Sequence, residues 1–258
     1  MNINAITGLF SGLGKMLTSK VEYINVPEEQ LMGKWFQMYK ASVNFDNLKN
    51  QMYCPISYFS SNPIMGEGGF SMEEAYRVIS KSGPIETYKR DVSKVGPGQY
   101  WIYTEEYFYP KQLNIIGCGP NYDASSNETQ NDIEYFITTD SSKMSFSVYA
   151  RDPSTFFQTH NKEVTEFMES KGFGGKAFWN SPKPLYQGPD CDWPTEKEVF
   201  ARRVLKNQEN EKQAKKQEAE PETSSRSMDL SLTDLLQNPK AAWERLIRPL
   251  ENFNPEKL

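Results

Sequence analysis

The chain has 258 residues, 13% aromatic and 24% charged side chains, and a formal net charge of −5 at pH 7. It is long enough to bury a core of its own, but its charges form no basic stripe of the kind that phosphate backbones require, which excludes nucleic acid as an expected partner. The single histidine, His160, and three cysteines do not form the closely spaced ligand set of a zinc site, so we expect no metal and no cofactor.

The N-terminal segment, residues 1–22, carries apolar side chains at intervals of three and four. This spacing favours an amphipathic helix, whereas the basic region and the small-residue cleavage site of a signal peptide are missing. Packing of this helix on its own domain and contact with a membrane surface are both open. No run of apolar residues approaches the roughly 18 to 20 that a membrane-spanning helix needs.

Between Gly33 and about Arg151 the sequence consists of short segments with period-two patterning, separated by clusters of Gly, Pro, Asn, Asp and Ser. The clearest is FSMEEAYRVIS, in which alternate residues from Phe70 to Val78 share one face. Eight strands are predicted, beginning near Gly33, Tyr53, Phe70, Ile85, Tyr100, Gln112, Ile133 and Met144. Eight short antiparallel strands in series predict an all-β fold, either an up-and-down barrel or a sandwich.

The pattern changes after the strands. HNKEVTEFMESKGF places Val164, Phe167 and Met168 at helical spacing, and Gly172 is suited to end the helix in a left-handed turn. A Pro-rich extended segment follows. We expect both to lie against the outside of the strands, with a domain boundary near residue 195.

Residues 196–258 read as a charged, partly helical tail. Asn207 to Ser227 contains no large apolar residue and cannot form a core, so it is predicted to be a solvated helix or a linker. In the later NPKAAWERLIRPLENF, Asn238 can cap a helix and Pro239 suits its first position. Apolar residues then recur on one helical face at Trp243, Leu246, Ile247 and Leu250.

Three motifs occur in a characteristic order: Gly33-Lys34-Trp35 opens the strand series, YFITTD ends in Thr139 and Asp140, and YARDP contains Arg151. Over about residues 30 to 175 the chain resembles the lipocalin family. The resemblance implies an eight-stranded antiparallel up-and-down barrel with a flanking α-helix, closed at one end by Trp35 under Arg151, a favourable cation–π pair. In many lipocalins two more strands follow the Thr-Asp motif. Here the motif is either displaced by one hairpin or a strand is missing.

The cysteines allow one disulfide and a free thiol, or three free thiols. CPISYF and GPDC are similar in placement to the cysteines of apolipoprotein D-like and nematode lipocalin-like proteins, which implies a Cys54–Cys191 disulfide and a free Cys118. The family resemblance favours an extracellular protein, and a glycosylation sequon at Asn127 adds weak support. A cytoplasmic location stays open.

A small closed barrel can hold one apolar or amphipathic ligand. The leading hypothesis is therefore non-catalytic binding and transport of a small hydrophobic molecule such as a lipid, fatty acid, sterol or retinoid-like compound. The candidate lining residues are Tyr39, Tyr58, Phe70, Met72, Tyr76, Val78, Trp101, Tyr103, Tyr135 and Phe146.

Two other functions are weighed against this one. The barrel can be a filled scaffold of an adaptor protein, with residues 239–250 contacting a partner protein or a membrane surface. A thiol enzyme acting through Cys54 or Cys118 is disfavoured, because the sequence offers no recognisable histidine partner.

Overall fold

The computed structural model describes residues 22–41, 52–104, 109–120, 132–173 and 181–219, with side chains as far as residue 212. A short helix, α1 (Glu28–Leu31), precedes the first strand. The strands that follow are β1 (Gly33–Ala41), β2 (Tyr53–Ser61), β3 (Phe70–Arg77), β4 (Ile85–Gly96), β5 (Gln99–Thr104), β6 (Lys111–Gly119), β7 (Tyr135–Thr139) and β8 (Phe146–Ala150), with a 3₁₀ turn at Pro63–Met65.

Each of these strands pairs antiparallel with the next, and β1 pairs with both β8 and β2, so the sheet closes on itself. The predicted eight-stranded up-and-down barrel is therefore confirmed, and every strand begins within two residues of its predicted start. Thr139 and Asp140 lie at the end of β7, in the hairpin that leads directly to β8. The motif is thus displaced by one hairpin, and no strand of the barrel is missing.

Helical structure follows β8 and packs on the outer wall. It comprises α2 (Pro153–Thr155), a π-helical turn (Phe156–His160) and α3 (Asn161–Ser170). Asp152 caps its start by accepting a hydrogen bond from the Thr155 N–H at 2.7 Å. Val164 and Met168 are fully buried against the barrel, and Gly172, at φ +87°, ends the helix as predicted.

The segment after α3 closes a gap between β1 and β2. These two strands pair only at Gly33–Phe36, near the closed end of the barrel. Farther up, a two-residue strand, β9 (Lys183–Pro184), pairs with β1. The buried Gln187 amide then donates to the carbonyl of Gln37 on β1 and to that of Pro55 on β2. The C-terminal extension is therefore part of the barrel wall.

A disulfide between Cys54 and Cys191 fixes this extension to β2, with the two Cα atoms 5.5 Å apart. Cys118 is free. This is the pairing that the resemblance implies, and it links residues that are 137 positions apart in the sequence.

The last described element is a long helix, α4 (Glu196–Ala219). Thr195 and Glu198 form a capping box at its start: the Thr195 N–H donates to the Glu198 carboxylate at 2.8 Å, and the Glu198 N–H donates to the Thr195 hydroxyl at 3.3 Å. Val199 is fully buried in the outer core. The boundary near residue 195 stays a prediction, but the first turns of α4 pack on the barrel.

Helix α4 also covers a strand edge. Among the described residues, β5 pairs with β4 only from Arg90 onward, so no described strand pairs with the first residues of β4 on that side. There Arg202 donates to the Ile85 carbonyl at 3.2 Å, and Lys206 donates to the Thr87 carbonyl at 3.0 Å. Such an edge would otherwise be a template for pairing with another chain.

Within the described ranges, no helix combines the length and apolar character needed to cross a bilayer. The sequon at Asn127, residues 239–250 and all but the last residue of the predicted N-terminal segment lie outside the described residues.

Candidate ligand site in the barrel

The barrel wall has two apolar faces. One group of buried side chains points into the barrel, and a second lies between the outer wall, the helices and the C-terminal extension. The inward group comprises Trp35, Phe59, Phe70, Met72, Val92, Tyr100, Ile102, Leu113, Ile115, Phe136 and Tyr149. Strands with apolar side chains on both faces are the expected result when both faces are covered.

The closed end is built around Trp35. Its indole N–H donates to the Leu31 carbonyl at 2.7 Å, and the Arg151 guanidinium lies 3.7 Å from the centre of its ring system. Arg151 also donates to the carbonyls of Lys34 and Gln30, so its charge is held in place from two sides.

Gly33 explains the spacing of the Gly-x-Trp motif. Its φ of +96° is unfavourable for any residue with a side chain, and an added Cβ would lie only 3.2 Å from Arg151 Nη1. The glycine therefore allows the guanidinium to reach the tryptophan.

Aromatic side chains fill the lower half of the barrel, next to Trp35. Phe136 meets Trp35 edge to face at 4.7 Å and stacks on Tyr149 at 4.9 Å. Phe59 contacts Phe70 and Phe136 at 5.5 and 5.9 Å. Because these rings interlock and are almost fully buried, the lower half is a packed core.

The upper half has a different chemistry. Glu74 on β3 and Arg90 on β4 are diagonal neighbours on the inner face and form an ion pair at 2.7 Å, with side chains only 14% and 19% exposed. The Tyr149 hydroxyl donates to the other carboxylate oxygen of Glu74 at 3.2 Å. Burial by itself would raise the pKa of Glu74, but the charges of Arg90 and Lys40 and the hydrogen bonds hold it below its ordinary value. A charged cluster thus lies directly above the aromatic floor.

Strand register identifies the remaining inward side chains of the upper half. Glu74 is opposite Tyr88, and Tyr76 is opposite Glu86. The rings of Tyr76 and Tyr88 are stacked, with centroids 6.0 Å apart. Most inward residues at this level are partly exposed: Lys40, Glu74, Tyr76, Glu86, Tyr88, Arg90, Thr104, Lys111 and Ser147. Ser57 and Thr138 are inward by the same register but are buried. The upper half is therefore partly accessible to solvent and is lined mainly by charged and phenolic groups.

Of the ten predicted lining residues, Phe70, Met72 and Tyr76 face the interior. The inner-face assignment is wrong for four residues whose partners lie outside the barrel. Tyr39 donates to Asn161 Oδ1 on α3 at 2.7 Å and Tyr135 donates to Glu163 at 2.6 Å. Tyr58 donates to the Pro194 carbonyl at 2.9 Å, and Phe146 packs on Phe173 at 5.1 Å.

The predicted inner-face position is also wrong for the remaining three residues, Trp101, Tyr103 and Val78. Trp101 and Tyr103 alternate with the inward Tyr100 and Ile102 and so lie on the outer face. Val78 lies beyond the end of β3, in the hairpin, where its N–H donates to the Pro84 carbonyl.

A β-bulge explains why simple alternation from Trp35 fails on β1. The register with β8 shifts between Gln37 and Tyr39, which turns Tyr39 to the outer face and Lys40 to the inner face. On β3 the register with β4 has no shift, and alternation from Phe70 gives the correct face throughout.

Sequence reasoning missed the polar residues of the upper half. Glu74 lies in phase with Phe70, Met72 and Tyr76, so the period-two pattern itself was a signal that this carboxylate points inward. The inward position of Lys40 had no such signal, because it depends on the bulge.

The cysteine chemistry offers no nucleophile. Cys54 is in the disulfide, and burial raises the pKa of the Cys118 thiol to about 12, so it stays protonated at neutral pH. In the described ranges there is no group of three or more His, Cys, Asp or Glu side chains placed to hold a metal ion.

A cavity of about 170 Å³ lies outside the barrel, beside the closed end. His160 lines it and lies 2.8 Å from the Glu134 carboxylate, while Arg151, also in its wall, is engaged with Trp35. The polar side chains that line this cavity therefore stabilise the junction between the barrel and the helices.

No protein-family model matches the chain, and no curated protein matches it. Solved structures similar to it include the allergen Per a 4 from cockroaches, with a TM-score of 0.44 at 13% identity over 66% of this chain and 93% of that chain. Lobster apocrustacyanin A1 gives 0.40 at 13% identity over 67% and 93%, and a deswapped triple mutant of bovine odorant binding protein gives 0.35 at 12% over 64% and 99%. The fold assignment rests on the strand pairing itself.

Proposed function

We propose that this protein binds and carries, without catalysis, one small amphipathic molecule in the upper half of its barrel. The main evidence is the difference between the lower and the upper half of the barrel interior. Inward side chains are buried around the aromatic floor, whereas those above it are polar or phenolic and most of them are partly exposed. A concave space with an apolar base and a few convergent polar groups is the usual form of a small-molecule site.

The charges indicate the ligand's polar end. Arg90 and Lys40 both act on Glu74, so this inner cluster has one more positive than negative charge. An acidic head group would compensate that excess, while its apolar body would lie against the stacked rings of Tyr76 and Tyr88. Among the small hydrophobic ligands expected from the sequence, these features favour a fatty acid or another acidic lipid over a neutral sterol.

The Cys54–Cys191 disulfide supports an extracellular site of action, because disulfides persist in oxidising compartments. Secretion is part of the proposal.

The test is equilibrium binding of a fluorescent dansyl-labelled fatty acid, displaced by oleic acid or by the neutral oleyl alcohol. We expect saturable binding at one ligand per chain and a preference for oleic acid. Lys40→Met should weaken oleic acid binding by roughly tenfold, since a hydrogen bond to a charged group contributes about 1.5–3 kcal/mol. It should leave binding of the alcohol nearly unchanged.

Lys89→Met is the matched control, because Lys89 is adjacent to Arg90 on β4 but points outward to Asp91 at 3.3 Å. It removes the same charge and should not change either affinity. If no lipid binds saturably, the barrel is a filled scaffold and the carrier function fails. Equal affinities for oleic acid and oleyl alcohol would refute only the proposal that the ligand has an acidic head group.

A further inference from the structure

Helix α4 uses a largely polar face to contact the barrel. Only Val199 on this face is apolar and fully buried. The other contacts are an ion pair between Arg203 and Glu73 at 2.7 Å and the hydrogen bonds from Arg202 and Lys206 to the β4 edge. Residues at positions i, i+3, i+4 and i+7 share one face of a helix, so this face is fully assigned to the barrel.

The opposite face of the same turns is apolar. Phe200, Val204 and Leu205 are 56%, 38% and 52% exposed, and Ala201 lies among them and is also exposed. At 100° per residue these four side chains form one stripe that points away from the barrel. A surface helix ordinarily has the reverse arrangement, with its apolar stripe against the core. We call these four residues the α4 stripe.

A second apolar stripe occurs later in the chain. Within residues 239–250, Trp243, Leu246, Ile247 and Leu250 recur at helical spacing behind a helix-start signal. The α4 stripe extends over six residues and the second over eight, and about two helical turns correspond to seven residues, so the two are similar in length. Two apolar stripes of similar length in one chain can cover each other from water.

We propose that residues 239–250 dock on the α4 stripe of the same chain. The intervening chain has a suitable length. Residues 220–238 number 19, and a random-coil chain of 19 residues would have a root-mean-square span of about 24 Å. The distance along α4 from Leu205 to its end at Ala219 is about 21 Å, so the linker can return to the stripe without strain.

The linker span agrees with the distance that it has to cover. This agreement favours residues 239–250 of the same chain as the partner over a second copy of the chain. A linker whose span matches the required distance gives an effective concentration on the order of 1 mM. A contact with an intrinsic dissociation constant of about 0.1 mM would then be occupied about ten to one within one chain. A second copy at micromolar concentration would occupy the same stripe only rarely.

The test is amide hydrogen exchange with mass spectrometry on the full chain. In the unaltered protein, amides in 239–250 should exchange about tenfold more slowly than in the double variant Val204→Asp/Leu205→Asp. The dependence should be reciprocal, so Leu246→Asp/Ile247→Asp should speed exchange in the part of α4 that carries the stripe. Peptides from β3 should be unchanged in both variants, which shows that the barrel is still folded.

Val95→Asp is the matched control, because Val95 is also an exposed apolar residue but lies on β4. It should leave exchange in 239–250 unchanged. Exchange in 239–250 that is fast in every variant would overturn the proposal. So would a dimer in sedimentation that Leu205→Asp dissociates, or binding of 239–250 to phosphatidylcholine and phosphatidylserine vesicles that the α4 variants leave unaltered.

Discussion

The Glu74–Arg90 ion pair inside the barrel gives a prediction whose size follows from the structure. The two side chains are 2.7 Å apart and are both less than one-fifth exposed. For charge centres about 4 Å apart and an effective dielectric constant of about 20, their attraction is about 4 kcal/mol. Removing one member of such a pair typically costs 3–5 kcal/mol, because the other charge stays buried without compensation.

Arg90→Met should therefore lower the free energy of unfolding at pH 7 by about 3 kcal/mol, the low end of that range, because Lys40 also acts on Glu74. Glu74→Gln/Arg90→Met together should recover most of this loss, since no buried charge is then left without a partner. Urea unfolding followed by circular dichroism measures both values. A loss below about 0.5 kcal/mol for the single variant would show that the pair is solvated and that the upper half is not a low-dielectric site.

The pH dependence provides an independent check. In the unaltered protein the pKa of Glu74 is lowered, so its contribution is present above the unfolded-state pKa near 4.3 and is lost as pH falls through the lower folded value. In Arg90→Met, burial should raise that pKa instead. The deficit relative to the double variant should then be largest at pH 7 and disappear on acidification toward pH 4. A deficit that does not change with pH would mean that lost packing, and not the carboxylate charge, destabilises the single variant.

Three further predictions concern the barrel and its attachments. Trp35→Ala should lower the free energy of unfolding by about 3–5 kcal/mol. A double-mutant cycle with Arg151→Ala should show a coupling energy of at least about 0.5 kcal/mol, because the guanidinium stacks on the indole. Independent effects would mean that the stacked geometry contributes nothing. Cys54→Ala/Cys191→Ala should lower unfolding free energy by up to about 5 kcal/mol, the chain-entropy estimate for a loop of this length, and should speed amide exchange of the extension; unchanged stability to denaturant would contradict the role of the disulfide. Deleting residues 213–258 should leave the melting temperature of the barrel nearly unchanged. Deleting all of α4 as well should lower the melting temperature and promote association through the uncovered β4 edge. A truncated protein that is monomeric and equally stable would instead place the domain boundary at residue 195.

The sequence by itself determined the number, order and approximate starts of the strands. Period-two patterning and turn residues act over a few positions, so they can be read without knowledge of distant contacts. The end of the helix at Gly172 depends on one residue's backbone freedom and is equally local. The closed end followed from a resemblance, and its contact between Trp35 and Arg151 is present.

On β3 the period-two pattern gives the inner face, but only the tertiary structure decided which face of β1 and β7 points inward. Both faces of β1 and β7 are covered, so their hydrophobicity does not alternate, and one extra residue in β1 exchanges the inner and outer positions after Gln37. The insertion of the extension between β1 and β2 depends on residues about 150 positions apart, such as Gln37 and Gln187. The ion pair of the candidate site depends on strand register, and the outward α4 stripe depends on which face the barrel occupies. Those are properties of packed elements, and no local pattern in the chain encodes them.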